Sequence, residues 1–149
     1  MGDPADKTLY RTAAVIFEEL GFLLPTPADN PIGSEPAAGA IIRFKGAFGG
    51  TLVVRITREV LPVLSANMLG DDAPRDESMQ RDAIGEIANV ICGNVLPALA
   101  GEAAVFNLES PSFFDGAAPA DGLPDGRPSA EVHIGLDPGQ ADVSLYLPA

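Results

Sequence analysis

Two stretches with a hydrophobic period of two constrain the fold of this chain most strongly. In the first, apolar residues at 42, 44, 52, 54 and 56 alternate with the polar residues at 43, 45, 51, 55 and 57, on either side of the glycine-rich turn at 46–50. In the second, apolar residues alternate over 130–147 around the turn residues 137–140. Because successive side chains of a strand point to opposite faces, this period predicts two β-hairpins, the first with one polar face.

The apolar residues before and between these hairpins follow a helical period instead. A first helix is predicted to begin after Asp3-Pro4, where an N-cap residue precedes a proline, and to end at Gly21. A shorter helix is predicted over 60–69, with Gly70 as its end signal. Both helices are amphipathic, so each has one side to bury against a sheet.

The second half of the chain holds the longest predicted helix, from about residue 78 to 96. Pro97 is expected to end or kink it, because proline has no amide hydrogen to donate. A strand is expected at 104–108. Helices and hairpins therefore come in blocks rather than in βαβ alternation, which predicts an α+β fold in which an antiparallel sheet of about five or six strands packs against two or three helices.

Length and composition fit one domain that covers residues 1–149. The 16 glycines and 14 prolines exceed what the hairpin turns require, and many of them fall at about 25–39 and 115–128. We therefore expect long surface loops in these two regions.

Charge and cysteine content exclude several classes of function. The net charge is −12, which would repel nucleic acid and anionic membrane surfaces. Cys92 is the only cysteine, so no intrachain disulfide can form, as is usual in a reducing compartment. The N-terminus is acidic where a signal peptide would be basic, and no apolar run is expected to approach the roughly 18 residues of a membrane span. We expect a cytoplasmic protein.

The long helix carries the most informative pattern in the chain. At about 100° per residue, Asp82, Glu86, Asn89 and Gly93 share one narrow stripe, here called the polar stripe. The opposite side collects Ile84, Ile87, Ile91, Val95 and Ala98. Asparagine and glycine are poor helix formers, so a side built only for stability would favour other residues. Two interpretations are open: a solvated outer face, or a surface that another molecule approaches closely.

The residues of this helix resemble the CheC/CheX/FliY family of bacterial phosphatases, which act on the phosphorylated response regulator CheY. The family signature is Asp or Ser, then Glu four residues on, then Asn three residues further, and then a distant Pro. Asp82, Glu86 and Asn89 match in type and spacing, and Pro111 follows Asn89 after 21 residues, one fewer than in the family pattern. The signature occurs once in this chain, as in CheX, whereas CheC carries it twice.

The resemblance implies a function and a set of site residues. Glu86 and Asn89 would be catalytic: the Asn89 amide would orient the attacking water, and Glu86 would pair with the active-site Lys of the regulator. Asp82, Gly93 and Pro111 would contact that partner. The Mg²⁺ would lie on the regulator and not on this chain, and the protein would be a homodimer joined through its sheets. The alternative is a non-catalytic CheX-like adaptor that binds a signalling partner without hydrolysis.

Other candidate sites fail on spacing or context. His133 is the only histidine, lies on the predicted outer side of a strand, and is expected to be solvated. Cys92 is expected to be a half-buried, inert thiol on the helix flank. The acidic residues at 71, 72, 76 and 77 lack the glycine and the ligand register of a Ca²⁺ loop, so we interpret them as a linker and a helix cap.

Overall fold

The computed structural model describes residues 4–70, 76–116 and 126–148. Three helices are present in these ranges: α1 (Pro4–Glu19), α2 (Leu61–Leu69) and α3 (Glu77–Ala100). The seven strands are β1 (Pro25–Pro27), β2 (Ala37–Gly46), β3 (Gly50–Thr57), β4 (Phe106–Leu108), β5 (Ser112–Asp115), β6 (Ala130–Leu136) and β7 (Gly139–Tyr146). They form one antiparallel sheet in the order β1-β6-β7-β3-β2-β4, and β5 pairs with β2 beside β4. The predicted α+β class is confirmed.

One apolar core joins the three helices to the inner face of the sheet. Its largest fully buried side chains include Phe17 of α1, Leu64 of α2 and Ile87 of α3. The inward residues of β2, β3, β6 and β7 alternate at a period of two, as both hairpins require. Both hairpins are confirmed, with strands slightly longer than their alternating segments.

The outer face of the first hairpin is less polar than predicted. Ile41 and Val53 point away from the helices, yet they are 2% and 6% exposed. They form a small second cluster with Phe114 of β5, whose ring lies over Gly39. The prediction of one polar face is therefore wrong for this hairpin, because Phe114, from a strand distant in the chain that pairs beside β2, covers part of that face.

The predicted loops contain more order than expected. Residues 25–27 form β1 and pair with β6, and residue 37 already belongs to β2, so the loop predicted at 25–39 is interrupted by a strand and ends early. Ile32 within it is buried. Asp115 closes β5, so the second predicted loop begins later than residue 115, and its residues 117–125 lie outside the described ranges.

The helix α3 departs from prediction at its C-terminal end. Pro97 does not end it: the helix continues to Ala100 and stops at Gly101, whose φ of 96° suits glycine. Because Pro97 has no amide hydrogen, the Gly93 carbonyl loses its helical hydrogen bond. Gly93 is exposed, so water can donate to this carbonyl instead. Ala98 is also exposed and does not share the buried side of the helix with Ile84 and Val95.

The same helix also corrects the expectation about membrane spans. By length and composition alone, α3 is apolar enough to cross a bilayer. Half of its most apolar 18-residue window is buried inside the protein, however, and the core helix of a soluble protein has the same properties. Its apolar character is explained by the core described above.

Candidate functional site

The polar stripe of α3 opens onto a cleft of about 410 Å³. The helix begins at Asp76, whose carboxylate accepts a hydrogen bond from the Met79 amide at 2.9 Å. From this start the helical period buries Ile84 and Ile87 in the core and turns Asp82 and Glu86 outward. The cleft is lined by Ala40, Arg81, Asp82, Gly85, Glu86, Asn89, Pro111 and Phe113.

The residues 111–113 form the far wall of this cleft. Pro111 packs on the bare side of Gly85, where an added Cβ would lie 3.4 Å from the proline Cβ and Cγ. Phe113 pairs across the strands with Ala40, and both side chains line the cleft. The small side chain of Ala40 leaves the space between this wall and α3 open, and this space is the cleft. The structure thus brings Pro111 to the polar stripe, 22 positions along the chain from Asn89.

Glu86 and Asn89 direct their polar groups toward the cleft. Glu86 is exposed and Asn89 is half-buried. Within the described part of the chain, neither side chain has a hydrogen-bond or ion-pair partner. Asp82 lies one turn before Glu86, and two carboxylates at this spacing repel each other slightly. This spacing does not stabilise the helix, but it places the carboxylates of Asp82 and Glu86 and the amide of Asn89 at the opening of the cleft.

Gly93 does not line this cleft. It borders a separate groove of about 190 Å³, formed mainly by apolar residues of the C-terminal part of α3 and by residues around β4. A Cβ added at Gly93 would meet nothing within 4 Å among the described residues. The sequence predicted that another segment or molecule would approach the helix at Gly93. In the structure, Pro111 contacts the helix at Gly85 instead.

The sequence did not predict four of the residues that line the cleft: Ala40, Arg81, Gly85 and Phe113. Arg81 lies with its Cζ 4.6 Å from the centre of the Phe113 ring, a cation–π contact that spans the mouth of the cleft. No signal in the sequence pairs these two residues, because they lie on different elements and 32 positions apart. Gly85 could have been found, since a glycine at a sheltered helix position indicates close packing.

Cys92 and His133, the other residues considered as candidate sites, contact the inside of the protein and do not line the cleft. Cys92 is fully buried rather than half-buried, and burial raises the pKa of its thiol to about 12. His133 is also less solvated than predicted: its Nδ1 lies 2.9 Å from Oδ1 of Asp142, and its side chain is 15% exposed. The Asp142 carboxylate accepts further hydrogen bonds from the Ile32 amide and the Gln140 side chain, so it ties the 28–36 segment to β7. Among the described residues no cluster of His, Cys, Asp and Glu is placed to hold a metal ion.

A family model described as "Chemotaxis phosphatase CheX" matches residues 38–134 of the sequence. The chain belongs to the CheX family. The matched region includes the whole of α3 and the far wall of the cleft, so every residue of the predicted signature lies within it. The resemblance inferred from the signature helix is thereby confirmed. No curated protein matches the sequence of the chain.

Solved structures of CheX proteins share the fold over nearly the full length. A chemotaxis protein CheX from Desulfovibrio desulfuricans is 19% identical, with a TM-score of 0.72 over 98% of this chain and 100% of that one. CheX from Vibrio vulnificus is 17% identical, with a TM-score of 0.76 over 98% and 97%. A CheX–CheY–BeF3–Mg²⁺ complex from Borrelia burgdorferi contains a chain that is 16% identical, with a TM-score of 0.68 over 96% and 97%. At these identities the likeness establishes the fold.

Proposed function

We propose that this protein is a phosphatase for the aspartyl phosphate of a CheY-type response regulator in chemotaxis or a related two-component pathway. One observation carries the proposal: Glu86 and Asn89 face one cleft from adjacent turns of a helix whose other side is buried, and neither side chain bonds to another of the described residues. Membership of the CheX family supports the same reaction class.

The chemistry requires little of this chain because an acyl phosphate is already activated. Water attacks phosphorus in line with the bond to the aspartyl oxygen; that bond breaks, the carboxylate leaves with the bonding electrons, and the water loses a proton as inorganic phosphate forms. The Asn89 side chain has a carbonyl oxygen that accepts from the water and an NH2 group that donates to a phosphoryl oxygen. Asn89 therefore holds the water in line, and its contribution is positioning.

Glu86 has a different role in this proposal. A carboxylate at the phosphorus would repel the phosphoryl group, but it can form a charge-assisted hydrogen bond with a lysine ammonium of the regulator. This pair would fix the register of the two proteins and place Asn89 over the phosphoryl group. Asp82 and Pro111 would be partner contacts at the cleft opening, and Gly93 would contact the partner only outside the cleft.

Metal chemistry belongs to the partner in this account. The Borrelia relative was crystallised with CheY, BeF3 and Mg²⁺. We expect the regulator to hold the Mg²⁺ that neutralises phosphoryl charge, and this chain to bind no cofactor of its own.

The proposal includes a homodimer formed through the sheets. Among the described strands, β1 and β4 end the sheet order. Two of the three residues of β1 are prolines, which have no amide hydrogen, so the edge formed by β4 and β5 is the one whose amides and carbonyls a second copy can pair with. Light scattering of the purified protein should give twice the mass of one chain. A monomeric mass over the micromolar range would contradict this part of the proposal.

The test of the phosphatase is the decay of a regulator labelled with acetyl phosphate and freed of excess donor. With Mg²⁺ present, adding catalytic amounts of this protein should accelerate phosphate release with multiple turnovers. Glu86→Gln should weaken regulator binding, whereas Glu18→Gln, an exposed glutamate of α1, should not. Binding of the phosphorylated regulator without acceleration would overturn the phosphatase and favour the adaptor.

A further inference from the structure

The cleft has one cationic side chain among its described lining residues, Arg81, beside the carboxylates of Asp82 and Glu86. The chain as a whole has a net charge of −12, so a cation at this opening is not a consequence of a generally basic surface. The proposed partner site, an aspartyl phosphate in a pocket of carboxylates, is itself anionic. A positive group at the contact would add to the Mg²⁺ and the lysine of the regulator in reducing the repulsion between two acidic surfaces.

The Arg81 guanidinium is restrained by an aromatic ring. Its Cζ lies 4.6 Å from the centre of the Phe113 ring, which restrains the side chain across the mouth of the cleft. Within the described residues Arg81 forms no ion pair, although Asp82 is its neighbour in sequence. A guanidinium that stacks on a ring keeps its N–H donors in its own plane, where they remain available to an incoming acceptor.

The ring that restrains Arg81 is itself anchored. Phe113 is half-buried, packs against the main core and lies opposite Ala40 in the β2–β5 ladder. Because both ends of the contact are fixed by regular elements, Arg81 loses less side-chain freedom on binding than an unsupported surface arginine.

We propose that Arg81 is the anion-binding residue of this cleft and donates hydrogen bonds to an oxygen anion of the bound regulator. The acceptor is either a phosphoryl oxygen or a carboxylate at the rim of the phosphorylation pocket. The inference rests on the proposed function and adds the group that lets two acidic surfaces meet. Phe113 acts through Arg81 as a positioning residue.

The test compares binding of a CheY-type regulator in its BeF3–Mg²⁺ form and in its Mg²⁺ form by calorimetry. Arg81→Gln should raise Kd for the BeF3 form by about tenfold, the loss expected from one charge-assisted contact. Arg81→Lys should recover part of the affinity, and Phe113→Leu should lose part of it. Arg11→Gln, at an exposed arginine of α1, is the matched control and should bind as wild type does.

The outcomes separate the acceptors and the hypotheses. A larger loss for the BeF3 form than for the Mg²⁺ form indicates a phosphoryl oxygen, and an equal loss indicates a carboxylate. If Arg81→Gln binds both forms within twofold of wild type while wild type still accelerates phosphate release, this inference is overturned and the proposed function stands. If wild type binds neither form, both are overturned.

Discussion

Gly85 and Pro111 lie next to each other across the cleft wall: a Cβ added to the glycine would be in van der Waals contact with the proline, 3.4 Å from its Cβ and Cγ. This contact joins the helix that carries Glu86 and Asn89 to the segment that forms the other wall of the cleft. The packing of Pro111 against this position therefore sets the spacing of the two walls, although Gly85 contributes no chemical group to the site.

Enlarging residue 85 should change activity according to the size of the new side chain. Gly85→Ala places one methyl group at van der Waals contact and should leave dephosphorylation near the wild-type rate. Gly85→Val adds two more carbons against Pro111, displaces the wall, and should cost about 1–3 kcal/mol of unfolding free energy together with most of the activity. Urea unfolding and phosphate release measure the two effects.

Gly93 provides the comparison for the same helix, because a Cβ added there meets no described residue within 4 Å. Gly93→Ala should raise the unfolding free energy by up to about 1 kcal/mol through helix propensity alone. Equal rates of phosphate release and equal unfolding free energies for Gly85→Val and Gly85→Ala would show that the contact with Pro111 does not set the cleft width.

The buried thiol of Cys92 should make stability depend on pH in the alkaline range. Burial raises the pKa of the thiol from its ordinary 9.0 to about 12. Above pH 9 the thiol therefore loses its proton in the unfolded chain but keeps it in the folded protein. The free energy of unfolding should therefore fall as pH rises between these two values, by up to about 1.4 kcal/mol per pH unit from this group.

The contribution of Cys92 can be isolated by urea unfolding of wild type and Cys92→Ala at about pH 8 and about pH 10.5. Tyrosines and lysines ionise in both proteins, so only the difference between the two pH dependences reports the thiol. Wild type should lose more stability than the variant on going to the higher pH. Parallel losses would show that the thiol is not protected from ionisation.

Asp142 should matter for stability and not for activity. Its Oδ2 accepts from the Ile32 amide at 2.8 Å and its Oδ1 from Gln140 Nε2 at 2.9 Å, with His133 beside it. Asp142→Ala leaves these partly buried groups without their acceptor and should lower the unfolding free energy by about 2–3 kcal/mol.

The matched control for this change is Asp29→Ala, at an exposed carboxylate of the neighbouring segment, which should shift stability by less than about 0.5 kcal/mol. The folded Asp142→Ala protein should still accelerate phosphate release at the wild-type rate, since neither residue lines the cleft. A variant that is stable but inactive would contradict the separation of the two regions.

The sequence predicted those parts of the molecule in which one regular element exposes and buries its residues at a constant period. The period of α3 placed Asp82, Glu86 and Asn89 on one side and Ile84 and Ile87 on the other, because a helix turns by the same angle at each step. The two hairpins followed from alternation in the same way.

What the patterns could not supply depends on contacts between distant segments. Strand β5 has only four residues, Ser112–Asp115, with adjacent phenylalanines that face opposite sides of the sheet, so it shows no alternation. Its position beside β2 nevertheless creates the far wall of the cleft. In the same way, Gly85 and Gly93 look equivalent along the helix, and only the packing of Pro111 distinguishes them.

The most direct test of the account compares two asparagines of the same helix. Asn89 lines the cleft, whereas Asn94 is exposed outside it and donates to the Val90 carbonyl at 2.7 Å. The measurement is the rate constant for loss of phosphate from a CheY-type regulator, with Mg²⁺ and a saturating amount of each variant. Asn89→Ala should lower the acceleration by about a hundredfold, because the water is no longer held in line, and Asn94→Ala should match wild type. Equal acceleration by wild type and Asn89→Ala would contradict the proposed role of the polar stripe.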